Sequence, residues 1–69
     1  MEVILEIPNV LHEEKHCEDF LDCVEIYMKY LTKYGKQLGI CYGQNSLKKF
    51  PISGEFRNEC ENGYVEIVK

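Results

Sequence analysis

From Cys17 to Leu31 the apolar residues Cys17, Phe20, Leu21, Val24, Tyr27, Met28 and Leu31 recur at steps of three and four, with Glu18, Asp22, Glu25, Lys29 and Lys33 between them. That spacing gives a cylinder one apolar stripe and one charged side, which is helix periodicity. It predicts a helix that begins at Val10 or Glu13 and runs to Tyr34, closed by Gly35 where a left-handed residue stops helices. Acids crowd its first half and lysines its second, matching the helix macrodipole. Such a helix takes up much of a 69-residue chain, and its stripe needs an apolar surface to lie on. Only a small sheet is left to supply one.

Strand signals appear on both sides of the helix. Residues 2 to 7 alternate Val3, Leu5 and Ile7 with Glu2, Ile4 and Glu6, and Pro8-Asn9 ends the run, so this reads as a first strand with Ile4 unusual on the outer face. Residues 36 to 43, KQLGICYG, put Leu38, Ile40 and Tyr42 on one face and read as a second strand, irregular at Gly39 and Gly43. Residues 44 to 54 hold Asn45-Ser46, Pro51 and Gly54 and read as a loop or edge element anchored by Leu47, Phe50 or Ile52. EFRNEC, the turn ENG and YVEIV read as a hairpin, with Asn62-Gly63 as a positive-φ pair. The prediction is one α+β domain over residues 1–69: a long helix on a small, mainly antiparallel sheet of three or four strands. Its order is strand, helix, then two or three strands.

A chain of this size buries only about 60% of the surface its unfolded form exposes, so stability needs a supplement such as disulfides, a metal or a partner. Four Cys and two His make the first two available. The N-terminus MEVILEIPNV has no basic leader and no long apolar run, which predicts a cytoplasmic protein with no membrane span. In that compartment cysteines read as buried thiols or metal ligands before disulfides.

His12-Glu13-Glu14-Lys15-His16 fits H-E-x-x-H, in which two histidines one helical turn apart hold zinc and the glutamate is the general base of a metallopeptidase. A peptidase also needs a third ligand, a substrate-binding strand and a walled cleft, and little chain remains to build them. The size of the chain therefore points away from an enzyme. A structural zinc uses the same histidines with less machinery, since a closed site takes four N or S ligands. The predicted set is His12, His16, Cys17 and Cys60, with Cys41 in reserve. Cys23 lies about 10 Å along a helix from His16, too far to share the ion with His12. The plainer alternative makes the cysteines ordinary core and the histidines solvated. No glycine-rich phosphate loop is present, and no orienting group or oxyanion loop accompanies a Cys-His pair.

Charge is unevenly placed. Residues 1 to 26 carry eight acids and one Lys, residues 27 to 54 five Lys and no acid, and residues 55 to 69 four acids and two bases, giving a net charge of −4. The larger block is acidic, which points away from direct nucleic-acid binding and toward a protein partner with a basic surface. Glu14, Glu18, Asp22 and Glu25 would form one helical arc for that partner, or simply a solvated face. Tyr27, Tyr30, Tyr34, Tyr42 and Tyr64 offer interface area or border the core.

With its acidic stretch from residue 13 to 25, and with His12, His16 and the cysteines for a zinc site, the chain resembles the small phage-encoded anti-CRISPR inhibitors. The resemblance covers the overall profile. It implies a stoichiometric inhibitor in the host cytoplasm that binds a CRISPR effector nuclease and blocks loading of guide or target nucleic acid. The expected protein is thus a non-enzymatic inhibitor, monomeric or a small homo-oligomer. The alternatives are a small zinc metallopeptidase using HEEKH and a host regulatory or adaptor domain.

Overall fold

Val3, Leu5 and Ile7 are buried while Glu2, Ile4 and Glu6 are half-buried, and this alternation makes β1 (Glu2–Ile7) as the sequence predicts. At Pro8-Asn9 the chain turns back on itself rather than entering a helix. Pro8 stands at the second turn position, Asn9 takes a positive φ of 66° at the third, and the Val10 N–H donates to the Ile7 carbonyl at 2.9 Å. A tight turn with a positive φ at its third residue accepts this pair of residues. The returning segment is β2 (Leu11–His16), antiparallel to β1 with Ile7 opposite Leu11 and Glu2 opposite His16. HEEKH is therefore a strand, which corrects the predicted helix start at Val10 or Glu13.

The computed structural model describes residues 1–42 and 56–68. After β2, α1 (Phe20–Leu38) opens at Asp19, whose extended backbone and side-chain Oδ1 cap the helix by accepting the Asp22 N–H at 2.9 Å. An aspartate at this position supplies an acceptor to a donor that has no partner inside the helix. Asp22 reaches back to the Glu18 N–H at 3.4 Å. The helix passes through Gly35, where a Cβ would meet nothing within 4 Å, and ends at Gly39, whose φ of 79° the missing Cβ permits. Residues 36 to 38 are thus helix, and among the described residues of the predicted second strand only Cys41 makes a bridge, to Cys60. The predicted loop over residues 44 to 54 lies outside the described residues.

β3 (Phe56–Glu59) and β4 (Tyr64–Val68) form the predicted hairpin, with Glu59 opposite Tyr64. Neither Asn62 nor Gly63 takes a positive φ, however, and the Cys60 N–H to Gly63 carbonyl bond puts Glu61 and Asn62 at the tip. The role of Gly63 is close approach: a Cβ there would run into the Glu6 carbonyl oxygen. The tip also closes α1, since the Asn62 N–H donates to Leu38 O at 2.9 Å and Asn62 Nδ2 to Gln37 O at 3.2 Å.

The sheet has the order β2-β1-β4-β3, all antiparallel, and α1 packs across β1 and β4 on one face. The α+β class is as predicted, and the element order is ββαββ. Val3, Leu5, Ile7, Val65 and Ile67 meet Cys23, Tyr27 and Leu38 of the helix. Each fully buried side chain of this size contributes roughly 1.5–3 kcal/mol. The helical stripe is rotated from its expected position. Leu21 is 78% exposed and Met28 43%, whereas Cys23 is buried and Ile26, Tyr30 and Tyr34 pack at the margin. A polar contact crosses the core, from Asn58 Nδ2 to the Tyr27 hydroxyl at 2.8 Å, both residues being buried.

Candidate functional site

A strand turns alternate side chains to opposite faces, so the fate of HEEKH follows from β2. His12, Glu14 and His16 lie on the outer face of the sheet, and Glu13 and Lys15 on the helix side, opposite Leu5 and Val3. The two histidines are four strand positions apart, about 13 Å, and their convergence would have required a helix. Glu13 is on the other face from both. The geometry of the zinc-peptidase motif is not formed.

The expected zinc set is also taken apart. Cys17 is bonded to Cys23, with Cα atoms 5.4 Å apart, and Cys60 to the reserve residue Cys41. The first disulfide ties the end of β2 to the first turns of α1; the second ties the exit of α1 to the β3–β4 hairpin. Among the described residues no group of three or more His, Cys, Asp or Glu is placed to hold a metal ion.

His12 has other partners. Its Nδ1 lies 2.8 Å from Glu6 Oε1 and its Nε2 3.0 Å from Glu14 Oε2. Carboxylates at both ring nitrogens favour the imidazolium, which donates to both. The hydrogen bond to Glu14, then that to Glu6, raises the His12 pKa above its ordinary 6.5.

The acidic arc expected on the helix is divided. Glu14 sits on the sheet, Glu18 precedes the helix, Asp22 is engaged in its first turn, and Glu25 is exposed on α1. The remaining exposed charges of α1 are Lys29, Lys33 and Lys36. Carboxylates gather instead on the outer face of the sheet, where the strand registers line up three rows. The first is His16, Glu2 and Val68; the second Glu14, Ile4, Glu66 and Arg57; the third His12, Glu6, Tyr64 and Glu59. Among the described residues, five carboxylates, Glu2, Glu6, Glu14, Glu59 and Glu66, thus share this face with one permanent cation. That cation, Arg57, lies with Cζ 3.8 Å over the Tyr64 ring, pairs with Glu59, and reaches Glu66 through Nη1 at 3.4 Å. Its reach leaves Glu2 and the His12-bridged pair as the more negative end.

Sequence reasoning did not assemble Glu2, Glu6, Glu59, Glu66 and Arg57 into one site. The signal was the alternation within each strand, but only the register of all four strands puts the residues in rows. The arrangement offers charge complementarity and hydrogen-bond acceptors, with Tyr64, Ile4 and Val68 as apolar area between them.

No described helix is long and apolar enough to cross a membrane. The chain matches no protein-family model and no solved structure.

Proposed function

We propose that this chain is a non-enzymatic binding module that sets the acidic outer face of its sheet against a basic surface of a protein partner. The observation that supports this is the array of five carboxylates around one arginine, among the described residues, on the sheet face opposite α1. Carboxylates set at strand spacing on a sheet need no backbone ordering on binding, and they offer a basic groove the sign of charge that nucleic-acid phosphates offer. A nucleic-acid-handling protein is the partner class that fits. Within that class, the resemblance to anti-CRISPR inhibitors favours an effector nuclease whose guide or target channel would be blocked.

The two disulfides favour a second reading on the same face. Such bonds persist where conditions are oxidising, so the module would then meet its basic partner outside a reducing cytosol.

Calorimetric titration against a panel of basic nucleic-acid-binding proteins, CRISPR effector nucleases included, tests the binding that both readings share, and repeating it with reductant separates them, since the second reading requires the oxidised chain. Expected is stoichiometric binding that weakens from about 0.1 M to 1 M salt, as the screening length shrinks from about 10 Å to about 3 Å. Glu2→Lys with Glu14→Lys should weaken it by tenfold or more, roughly 1.4 kcal/mol, while Glu18→Lys with Glu25→Lys should not. Binding that survives the first pair and fails with the second would move the site to the helix. Absence of binding across the panel would overturn the proposal.

A further inference from the structure

The two margins of the sheet differ. At β3 the outer edge is partly occupied: the Tyr42 N–H donates to Glu59 O at 2.9 Å, the Glu61 N–H to Ile40 O at 2.7 Å, and Cys41 bridges Cys60. At the opposite margin β2 has β1 on one side and no described strand on the other. The Cys17 N–H to Met1 carbonyl bond at 2.8 Å continues the β1–β2 register. In an antiparallel ladder the directions alternate, so residues 11, 13, 15 and 17 turn their backbone groups to β1. His12, Glu14 and His16 turn theirs outward, and all three are exposed. This strand of six residues has no proline and no bulge to guard its edge; its guard is charge, at Glu13, Glu14 and Lys15, which a pairing strand must match.

We infer that the β2 edge pairs with β2 of a second copy, in antiparallel register about a two-fold axis at Glu14, to make one continuous eight-stranded sheet. Backbone geometry restricts the choice, because outward-facing residues of one copy must meet outward-facing residues of the other. Centring on Glu14 uses all three: His12 faces His16 of the second copy, Glu14 faces Glu14, and His16 faces His12. In this register Glu13 stands opposite Lys15 of the second copy and Lys15 opposite its Glu13, two cross-strand ion pairs on the helix side. A slide of two residues one way puts Glu13 opposite Glu13, and the other way puts Lys15 opposite Lys15. Each slide also loses one of the three backbone pairings. Side-chain charge and backbone direction therefore select the same register, and such self-complementarity is what a two-fold interface requires. The cost is the Glu14 pair at the axis. It is offset by His12, whose Nε2 holds Glu14 within each copy at 3.0 Å. The product joins the two acidic outer faces side by side.

Sedimentation velocity on the oxidised full chain, over about 10 µM to 1 mM, reads the association directly. A concentration-dependent dimer is expected, with slowed amide exchange at His12, Glu14 and His16 as dimer forms. Lys15→Glu replaces both attractions by repulsions and should weaken association by at least about tenfold. The swap Glu13→Lys with Lys15→Glu restores both pairs and should restore the dimer. Glu14→Pro removes the central outward N–H without touching the β1 ladder and should leave a folded monomer by circular dichroism. The inference is overturned if the wild-type chain stays monomeric over the range, or if it dimerises without slowed exchange at these three amides. A dimer that survives Lys15→Glu and Glu14→Pro unchanged overturns it equally.

Discussion

Breaking the Cys41–Cys60 bond should destabilise the fold more than breaking Cys17–Cys23, and together the two losses should remove most of its stability. A cross-link restricts the unfolded chain, and its contribution grows with the logarithm of the loop it closes. The sequence separations are 19 and 6 residues, which correspond to about 3 and about 2 kcal/mol. Their sum is comparable with the roughly 5 kcal/mol at the low end of domain stability, where a chain this short belongs. All four cysteines are buried, so alanine pairs at either bond remove similar packing and their difference isolates the loop effect. The assay is urea unfolding followed by circular dichroism. With a slope of about 1 kcal/mol per M, the midpoint should fall by about 3 M for the Cys41/Cys60 pair and about 2 M for the Cys17/Cys23 pair. Reductant on the wild-type chain should leave little folded signal. If the Cys17/Cys23 pair costs as much as the other, loop closure is not the source of the stability. If reduction moves the midpoint by less than about 0.5 M, the domain stands on its core alone.

Three further outcomes are expected. Asp19→Ala deletes the cap acceptor of α1 and should cost about 1 kcal/mol in the same urea assay, with Asp19→Asn recovering most of it. Gly63→Ala drives a methyl group into the Glu6 carbonyl and should cost about 1–3 kcal/mol through forced displacement of β1 from β4, visible as a lower melting temperature. His12 should titrate above its ordinary 6.5 by NMR, and Glu14→Gln should lower the midpoint more than Glu6→Gln does. Because its folded-state pKa is raised, its contribution to stability is complete below the unfolded value and disappears as pH rises through the folded one. A midpoint at or below 6.5 would mean that the two carboxylates do not hold the ring.

The fold was legible where a single period dominates. Val3, Leu5 and Ile7 alternate cleanly and so do Val65 and Ile67, and both segments are strands with the expected buried faces. The body of α1 follows from its three- and four-residue steps, but its ends do not. HEEKH has too few apolar residues to show either period, so the preceding Pro8-Asn9 turn decides its conformation and β1 supplies its partner. Cys17 extends the helical spacing by accident, because its bond to Cys23 brings it onto the core from outside the helix. At the other end Gly35 looked like a terminator, yet the hairpin tip holds the helix carbonyls as far as Leu38 and moves the end to Gly39. Disulfide pairing was out of reach, since four cysteines allow three connectivities and only tertiary placement chooses among them. The acidic face was hidden for a similar reason. Glu2 and Glu6 belong to one strand and Glu66 to another at the far end of the chain, and their proximity depends on β4 returning beside β1.

The hydrogen bond between Tyr27 and Asn58 acts as an azimuthal stop. Aliphatic contacts such as Leu5 or Val65 against a helix change little when the cylinder rolls by a few degrees or slides by a fraction of a residue. A 2.8 Å bond between two buried groups does not share that tolerance, because a small roll carries donor and acceptor out of hydrogen-bonding range. The side chains that α1 shows to solvent, Leu21 and Met28 among them, are therefore set in part by a contact on the opposite side of the helix. Replacing Asn58 by an aliphatic residue of similar volume would leave the layers in place and remove one constraint on that bearing, beside the Cys17–Cys23 bond and the bonds from Asn62 to α1.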